Sequence, residues 1–387
     1  MRSVNFCADN NIVLLHNGAA FFPALIAAID AARVEIYLET YIFSLDETGV
    51  LVRDALQRAA ARGVVVSVIS DWLGTGIKHS RLLRTTLHAA GVHHRSFNPW
   101  FKRGVARSHR KLCVIDRYVA FVGGLNIIDD LYSDDSRRTP LPAPRWDFAV
   151  AISGPLVPVI HEEMQDQWVR IGQMKLRARW ENFKKMRASR HFQVYGAALA
   201  GLVVRDNWRN RRTIQRAYLQ ALGRARESAY LTNPYFAPGR KLRRALEAAA
   251  ARGVRVTLLL GVGQFMMQDA VAHSFYPKLL EAGVRIVEYD KTQLHAKVAV
   301  VDDEWATVGS SNYDGLSLFV NQEANVVISD AAFASYLRTE IEAGIADGTP
   351  VNLQEFASSP WYKKLWYGTA FLLYRGVIHI ITLGKDA

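Results

Sequence analysis

Cysteine is nearly missing from this sequence, and acid is in short supply. Only Cys7 and Cys113 occur in 387 residues, which excludes a disulfide framework and any cysteine-based metal spacing and points to a reducing compartment. Cys113 lies in an apolar run and reads as a small buried hydrophobe. Acidic residues number 36 against 48 Lys and Arg, a net charge of +12, so the chain favours an anionic partner, either nucleic acid or an anionic lipid surface. The opening "MRSVNFCADNNIVLLHNG" has no charged head followed by a sustained apolar stretch and a small-residue cleavage site. Neither a secretory signal nor an N-terminal membrane span is expected.

What is present is a pattern that occurs twice. "SHRKLCVID" (Ser108 to Asp116) is answered by "LHAKVAVVD" (Leu294 to Asp302), and His109, Lys111, Asp116, Gly123 and Asn126 recur as His295, Lys297, Asp302, Gly309 and Asn312, each pair 186 positions apart. Around this anchor "AAARGVVVSVIS" (Ala59 to Ser70) matches "AAARGVRVTLLL" (Ala249 to Leu260), and "YLETYIF" (Tyr37 to Phe43) matches "YLTNPYF" (Tyr230 to Phe236). Each half alternates helix and strand and then gives two strands joined by a tight turn, the signature of α/β units on a largely parallel or mixed sheet. The chain is a duplicated α/β domain. The expected lobes are 1–173 and 205–345, with a basic linker at 174–204 and an apolar tail at 346–387. Half of the residues are hydrophobic, enough for two cores or one large fused core.

On an extended strand His109 and Lys111 share one face, while Asp116 points to the other. Two such strands meeting across a pseudo-two-fold axis bring two histidines, two lysines and two asparagines, Asn126 and Asn312, to one cleft. That set suits a tetrahedral anion with charge spread over its oxygens, phosphate above all, and Ser310 is expected to add a hydroxyl to it. One neutral histidine attacks phosphorus while the other, protonated, serves the leaving alkoxide and later acts as base. No metal or other cofactor is required. Glu323, in "NQEANVVIS", and Asp147, in "RWDFAVAIS", sit on corresponding strands and are the candidates to orient the imidazoles through their second nitrogens. Asp116 and Asp302 precede tight turns and read more plausibly as turn caps than as substrate contacts.

Between the repeats, "MKLRARWENFKKMRASR" (Met174 to Arg190) holds seven basic residues and one glutamate, and its interleaved Trp180 and Phe183 tilt it toward headgroups or phosphates. The tail, Pro360 to Ala387, is apolar from Leu365 to Leu383 apart from Arg375, His379 and small residues. The arginine in its middle argues against a simple span. An aromatic-rich helix in the membrane interface is expected, with docking on the protein as the alternative.

The pattern H-x-K-x4-D-x6-G-[GS]-x-N resembles the signature of the phospholipase D superfamily, and the likeness runs to about residue 345. It implies two similar α/β lobes, one active site at their interface, a phosphohistidine intermediate and no cofactor. It assigns His109, Lys111, Asp116, His295, Lys297 and Asp302 to the catalytic motifs, with His109 as nucleophile and His295 as general acid and base. The symmetry of the sequence alone leaves that last choice open. "FFPALIAAIDAAR" (Phe21 to Arg33), "FVGGLNI" (Phe121 to Ile127) and "NPYFAPG" (Asn233 to Gly239) are similar to bacterial cardiolipin synthases of the short type without two N-terminal membrane helices. That resemblance implies transfer of a phosphatidyl group between phosphatidylglycerols with release of glycerol, anionic phospholipids as partners, and a peripheral or monotopic place on the bacterial inner membrane. A second protomer is not required, since one chain holds a complete pair of motifs. A phospholipase D, a transferase using another donor or alcohol, and a nuclease share the motif residues. The apolar tail argues against nucleic acid.

Overall fold

A computed structural model describes residues 4–133, 138–172, 195–207 and 209–382. The first half runs β1 (Phe6–His16), α1 (Asn17–Ala31), β2 (Glu35–Thr40), α2 (Glu47–Ala61), β3 (Val65–Asp71), α3 (Ile77–Ala89), β4 (His93–Phe97), β5 (Lys102–Val105), β6 (Leu112–Ile115), β7 (Val119–Gly123), β8 (Phe148–Ser153) and α4 (Leu156–Ile171). The second half follows the same plan: β9 (Ala198–Arg205), α5 (Thr213–Arg224), β10 (Ser228–Asn233), α6 (Arg240–Ala251), β11 (Arg255–Gly261), α7 (Met266–His273), α8 (Tyr276–Glu281), β12 (Arg285–Tyr289), β13 (Val298–Val301), β14 (Trp305–Gly309), α9 (Gly315–Phe319), β15 (Glu323–Ser329) and α10 (Ala331–Asp347). The chain then adds β16 (Thr349–Pro350), α11 (Leu353–Ala357) and α12 (Trp361–Thr382).

The repeated "ARGV" has a direct structural meaning. In both halves the helix ends on a glycine with positive φ, Gly63 at 88° and Gly253 at 90°. The next amide reaches back into the helix, Val64 to the Ala59 carbonyl at 3.1 Å and Val254 to that of Ala249 at 3.2 Å. This Schellman closure satisfies helical carbonyls and turns the chain straight into a strand. Alternating or wholly apolar runs such as Val66, Val68 and Leu258 to Leu260 then fill the interior.

All strands but β5 form one 15-stranded sheet, ordered β16-β12-β11-β10-β13-β14-β15-β9-β1-β8-β7-β6-β2-β3-β4. The order of one half mirrors that of the other about the β1–β9 pair. Within each half three strands are parallel (β2, β3, β4 and β10, β11, β12) and the rest antiparallel. Each half buries its own core beneath its outer helices, and a third core, beneath α4 and α10, draws on both halves, from Leu112 and Phe148 to Val298 and Ile341. The two lobes are therefore one fused body.

One expected boundary changes. Of the linker expected at 174–204, residues 174–194, including the basic stretch with Trp180 and Phe183, lie outside the described residues. Residues 198–204 are not linker: they belong to β9, which pairs with β1 on one side and β15 on the other and joins the halves. The tail is both docked and exposed. Tyr367, Ala370, Phe371, Tyr374 and Ile378, at helical spacing, face the protein, with Phe371 against Phe275 at 5.4 Å between ring centroids. The other face presents Trp361, Leu365, Leu372, Leu373, Val377 and Ile380 to the outside. None of the described helices is long and apolar enough to cross a membrane.

Candidate active site

The two motif histidines do not lie on strands. β6 begins at Leu112 and β13 at Val298, and the residues just before them cross to the other half. His109 N donates to the Gln322 carbonyl at 2.9 Å and Gln322 N to that of Arg107 at 2.8 Å. Likewise His295 N donates to the Trp146 carbonyl and Trp146 N to that of Gln293, both at 2.9 Å. Every such buried backbone group needs a partner, and here the partner comes from the opposite repeat. Gln322 and Trp146 directly precede Glu323 and Asp147, so the stitching sets each histidine beside a carboxylate of the other half.

His109 Nδ1 stands 3.1 Å from Glu323 Oε2 and 3.1 Å from the Ser310 carbonyl. Both are acceptors, so Nδ1 carries the proton and Nε2 is left with its lone pair in the neutral ring. Burial pushes the His109 pKa below its ordinary value; Glu323 opposes that shift and Lys111 adds to it. Burial acts to raise the Glu323 pKa, but His109, Lys111 and the Ser310 hydroxyl together hold it below the usual carboxylate range. The pair is thus a neutral imidazole on an ionised glutamate. His295 Nδ1 lies 2.6 Å from Asp147 Oδ2. There burial wins over Lys297 and the Phe148 amide, and Asp147 is pushed up to about 6.

The two pairs differ in one further way. Ser310, expected to face phosphate, is fully buried; its hydroxyl donates to Glu323 Oε2 at 2.5 Å and accepts from Ala324 N at 3.0 Å. It positions the carboxylate rather than the anion. The corresponding residue of the first motif is Gly124, where an added Cβ would stand 2.2 Å from Asp147 Oδ1. Asp147 occupies that space and takes its hydrogen bond from Phe148 N at 2.8 Å instead.

Lys111 and Lys297 are almost wholly buried, and each donates to the backbone carbonyl of its own motif histidine, Lys111 at 2.7 Å. Lys111 Nζ also lies 5.5 Å from the ring centroid of Tyr41. Asn126 and Asn312 are buried as well; Asn126 Oδ1 accepts from Ile42 N at 3.2 Å. Histidines, lysines and asparagines therefore lie on the segments that meet at the junction of the halves.

Asp116 and Asp302 do not join them, and their assignment to the catalytic set is corrected. They sit at the far ends of β6 and β13, about 20 Å along the chain from the histidines. The Asp116 carboxylate accepts from the amides of Arg33, Val34 and Glu35 at 2.8, 2.8 and 2.9 Å, and Asp302 from those of Arg226, Glu227 and Ser228 at 2.7, 2.8 and 2.9 Å. Each fastens its hairpin to the start of the neighbouring strand. Both also have positive φ, 52°, a conformation that aspartate tolerates in tight turns. Burial acts to raise the Asp302 pKa, but the three amides outweigh it and hold the carboxyl below its ordinary value.

The sequence reading passed over a buried support beneath His109. Arg110, 2% exposed, donates to Glu39 and Glu163, while Ser108 Oγ donates to the other Glu39 oxygen and Ser108 N to Asp71. Tyr41 stands edge-on to the His109 ring at 4.9 Å. A signal existed: Glu39 follows the run Ile36, Tyr37 and Leu38 on a short strand, a setting in which an ionised group survives only with a partner.

Residues 25–134 and 218–344 match a family model described as "Cardiolipin synthase, PLD-like domain". The chain is 37% identical over 366 residues to cardiolipin synthase B of Escherichia coli (strain K12), which covers 92% of this chain and 85% of that protein. It is 28% identical over 360 residues to cardiolipin synthase 1 of Bacillus cereus, covering 91% and 70%. Among solved structures, that of phosphatidylserine synthase from Haemophilus influenzae Rd KW20 superposes with a TM-score of 0.71 at 13% identity, over 98% of this chain and 97% of that one. At that identity the likeness is one of fold.

Proposed function

The chain belongs to the family of phospholipase D-like cardiolipin synthases, and on that footing we propose that it transfers a phosphatidyl group from one phosphatidylglycerol to another, releasing glycerol. The observation that carries this reading is the crossed pairing, in which each histidine is held through Nδ1 by a carboxylate of the opposite repeat.

His109, neutral with Nε2 unprotonated, attacks the phosphorus of the donor lipid. The bond from phosphorus to the glycerol oxygen breaks, and that oxygen leaves with the proton of His295 Nε2. His295 next takes the proton of the primary hydroxyl of a second phosphatidylglycerol. That oxygen attacks phosphorus, the P–N bond to His109 breaks, and cardiolipin departs with the enzyme in its starting protonation state. The asymmetry of the two pairs favours this division of roles. A neutral His109 on an ionised Glu323 suits a nucleophile, and His295, hydrogen-bonded through Nδ1 to the buried Asp147, is left to serve the leaving and entering oxygens. Lys111, Lys297, Asn126 and Asn312 bind the phosphate oxygens and offset the charge that grows on them in the transition state.

Both substrates are anionic lipids, so the enzyme works at the surface of a bilayer, in bacteria the inner membrane, as a peripheral or monotopic protein. The exposed apolar face of α12 lies in the interface, and each basic group near an anionic leaflet adds ~1 kcal/mol. One chain contains the whole site. Incubating the protein with phosphatidylglycerol vesicles and identifying products by mass spectrometry tests the proposal. Cardiolipin with an equal amount of glycerol is expected. Phosphatidic acid alone would make water the acceptor and the chain a phospholipase; absence of any phosphodiester turnover would overturn the reading.

A further inference from the structure

Helix α12 closes one side of a groove of about 490 Å3 beside the second motif, a volume within the range of ligand sites. Its walls carry Phe275, Phe319, Phe371 and Ile378, and among the described residues five basic ones but no acidic one line it. The side chains of three of these, Arg240, Lys241 and Arg375, form no hydrogen bond or ion pair among the described residues. An apolar trough under a rim that includes three unpaired cations matches one kind of molecule: an amphiphile with a hydrocarbon chain and a negative head.

The groove is tied to the reacting centre. Gly315, in its wall, follows Asn312 by three residues, a span of at most about 11 Å. Its amide donates to the Tyr374 hydroxyl of α12 at 2.6 Å, and Ala237 of the opposite wall donates to the Tyr313 carbonyl at 3.1 Å. An acyl chain begins only a few bonds from the phosphorus of its lipid, so a phosphate held at the motifs lets its chain enter this mouth. The same helix shows Leu372, Leu373 and Val377 on its outer face and Phe371 and Ile378 on the groove side. A chain that enters from the leaflet meets apolar side chains of α12 on both its outer and its groove side.

We infer that this groove takes one acyl chain of the anionic phospholipid whose phosphate is at the motifs, while the basic rim faces the phosphates of the leaflet. The inference rests on the lipid-transfer reading and adds to it a chain-binding site and a role for α12 in substrate selection.

Two experiments test it. First, phosphatidylglycerol carrying a photoreactive diazirine in one acyl chain is irradiated with the protein on vesicles, and adducts are mapped by mass spectrometry. Adducts on Phe319 or within 237–243 are expected; adducts confined to the outer face of α12, or none, would overturn the inference. This readout needs no turnover. Second, Gly239→Leu fills the groove. Gly239 has φ −62° and ψ 160°, open to any residue, and a Cβ there would stand 3.6 Å from the Phe319 ring. The preference in kcat/KM for a long-chain over a dihexanoyl phosphatidylglycerol is expected to fall about tenfold, the equivalent of a few methylenes withdrawn from contact. An unchanged preference would overturn the inference. If the unaltered protein turns over neither lipid, the transfer reading has failed, and the photolabelling still decides whether the groove binds a chain.

Discussion

His109 Nδ1 lies 3.1 Å from Glu323 Oε2, a residue 214 positions later, while His295 Nδ1 lies 2.6 Å from Asp147 Oδ2, 148 positions earlier. In both motif pairs the imidazole comes from one repeat and the carboxylate from the other. Duplication has produced a site that exists only where the halves are fused, which explains why the third core and the β1–β9 seam join them so extensively.

Glu323→Gln keeps the shape of the side chain and removes its charge. It should lower kcat about 10²- to 10³-fold with little change in KM, because the neutral amide no longer fixes the His109 tautomer or stabilises charge on the ring. Steady-state kinetics on phosphatidylglycerol vesicles checks this; a variant with unaltered kcat would remove Glu323 from the mechanism.

The Asp147 pair gives activity and stability opposite trends with pH. Its folded-state pKa, about 6, exceeds the ordinary value of 3.8. The native state therefore holds the proton more tightly, and this group's contribution to stability declines as pH rises from about 4 through 6. Activity should rise over the upper part of that range as the carboxylate forms beside His295. In Asp147→Asn the stability decline should shrink and kcat should fall at every pH. Chemical denaturation and initial rates from pH 4.5 to 7.5 measure both.

Asp302→Asn should cost about 1–2 kcal/mol in stability through its weakened bonds to three amides while leaving kcat per folded molecule within about twofold. The sign with pH is that of a depressed acid: the stabilisation is present above the ordinary pKa of 3.8 and disappears as pH falls through the lower folded value. Denaturation curves between pH 2 and 6 should show wild type and variant converging in acid. A large loss of kcat in the folded variant would return this residue to the catalytic set.

Gly124→Ser imports the serine of the second motif into the first. Its Cβ would stand 2.2 Å from Asp147 Oδ1, so Asp147 must shift away from His295. Overpacking of this kind costs about 1–3 kcal/mol, and kcat should fall at least tenfold. Ser310→Ala, by contrast, should raise the Glu323 pKa and move the acid limb of the rate profile upward while leaving KM for phosphatidylglycerol unchanged, since the hydroxyl serves Glu323.

The duplication, the α/β alternation and the motif residues were legible in the sequence because each is a local pattern repeated at fixed spacing. Glu323 and Asp147 were legible as carboxylates on corresponding strands, but their crossed assignment was not: it depends on backbone bonds from Gln322 and Trp146 to the other repeat, which no single-half pattern encodes. β9 is not legible in the sequence because the short apolar run Ala198–Arg205 becomes a strand only by pairing with β1 and β15, both distant along the chain. Ser310 pointed the wrong way in expectation because spacing does not reveal that Glu323 lies nearer to its hydroxyl than the cleft does. Periodicity divided the faces of α12 but left open that one of them meets Phe275 and Gly315.

The central claim is that His109 is the nucleophile, and a covalent adduct tests it most directly. The protein is mixed with phosphatidylglycerol, quenched within a turnover in alkaline detergent that preserves a phosphorus–nitrogen bond, digested and mapped by mass spectrometry. The account predicts a phosphatidyl group on His109 and none on His295. An adduct on His295, or continued turnover with no adduct on either ring, would contradict it.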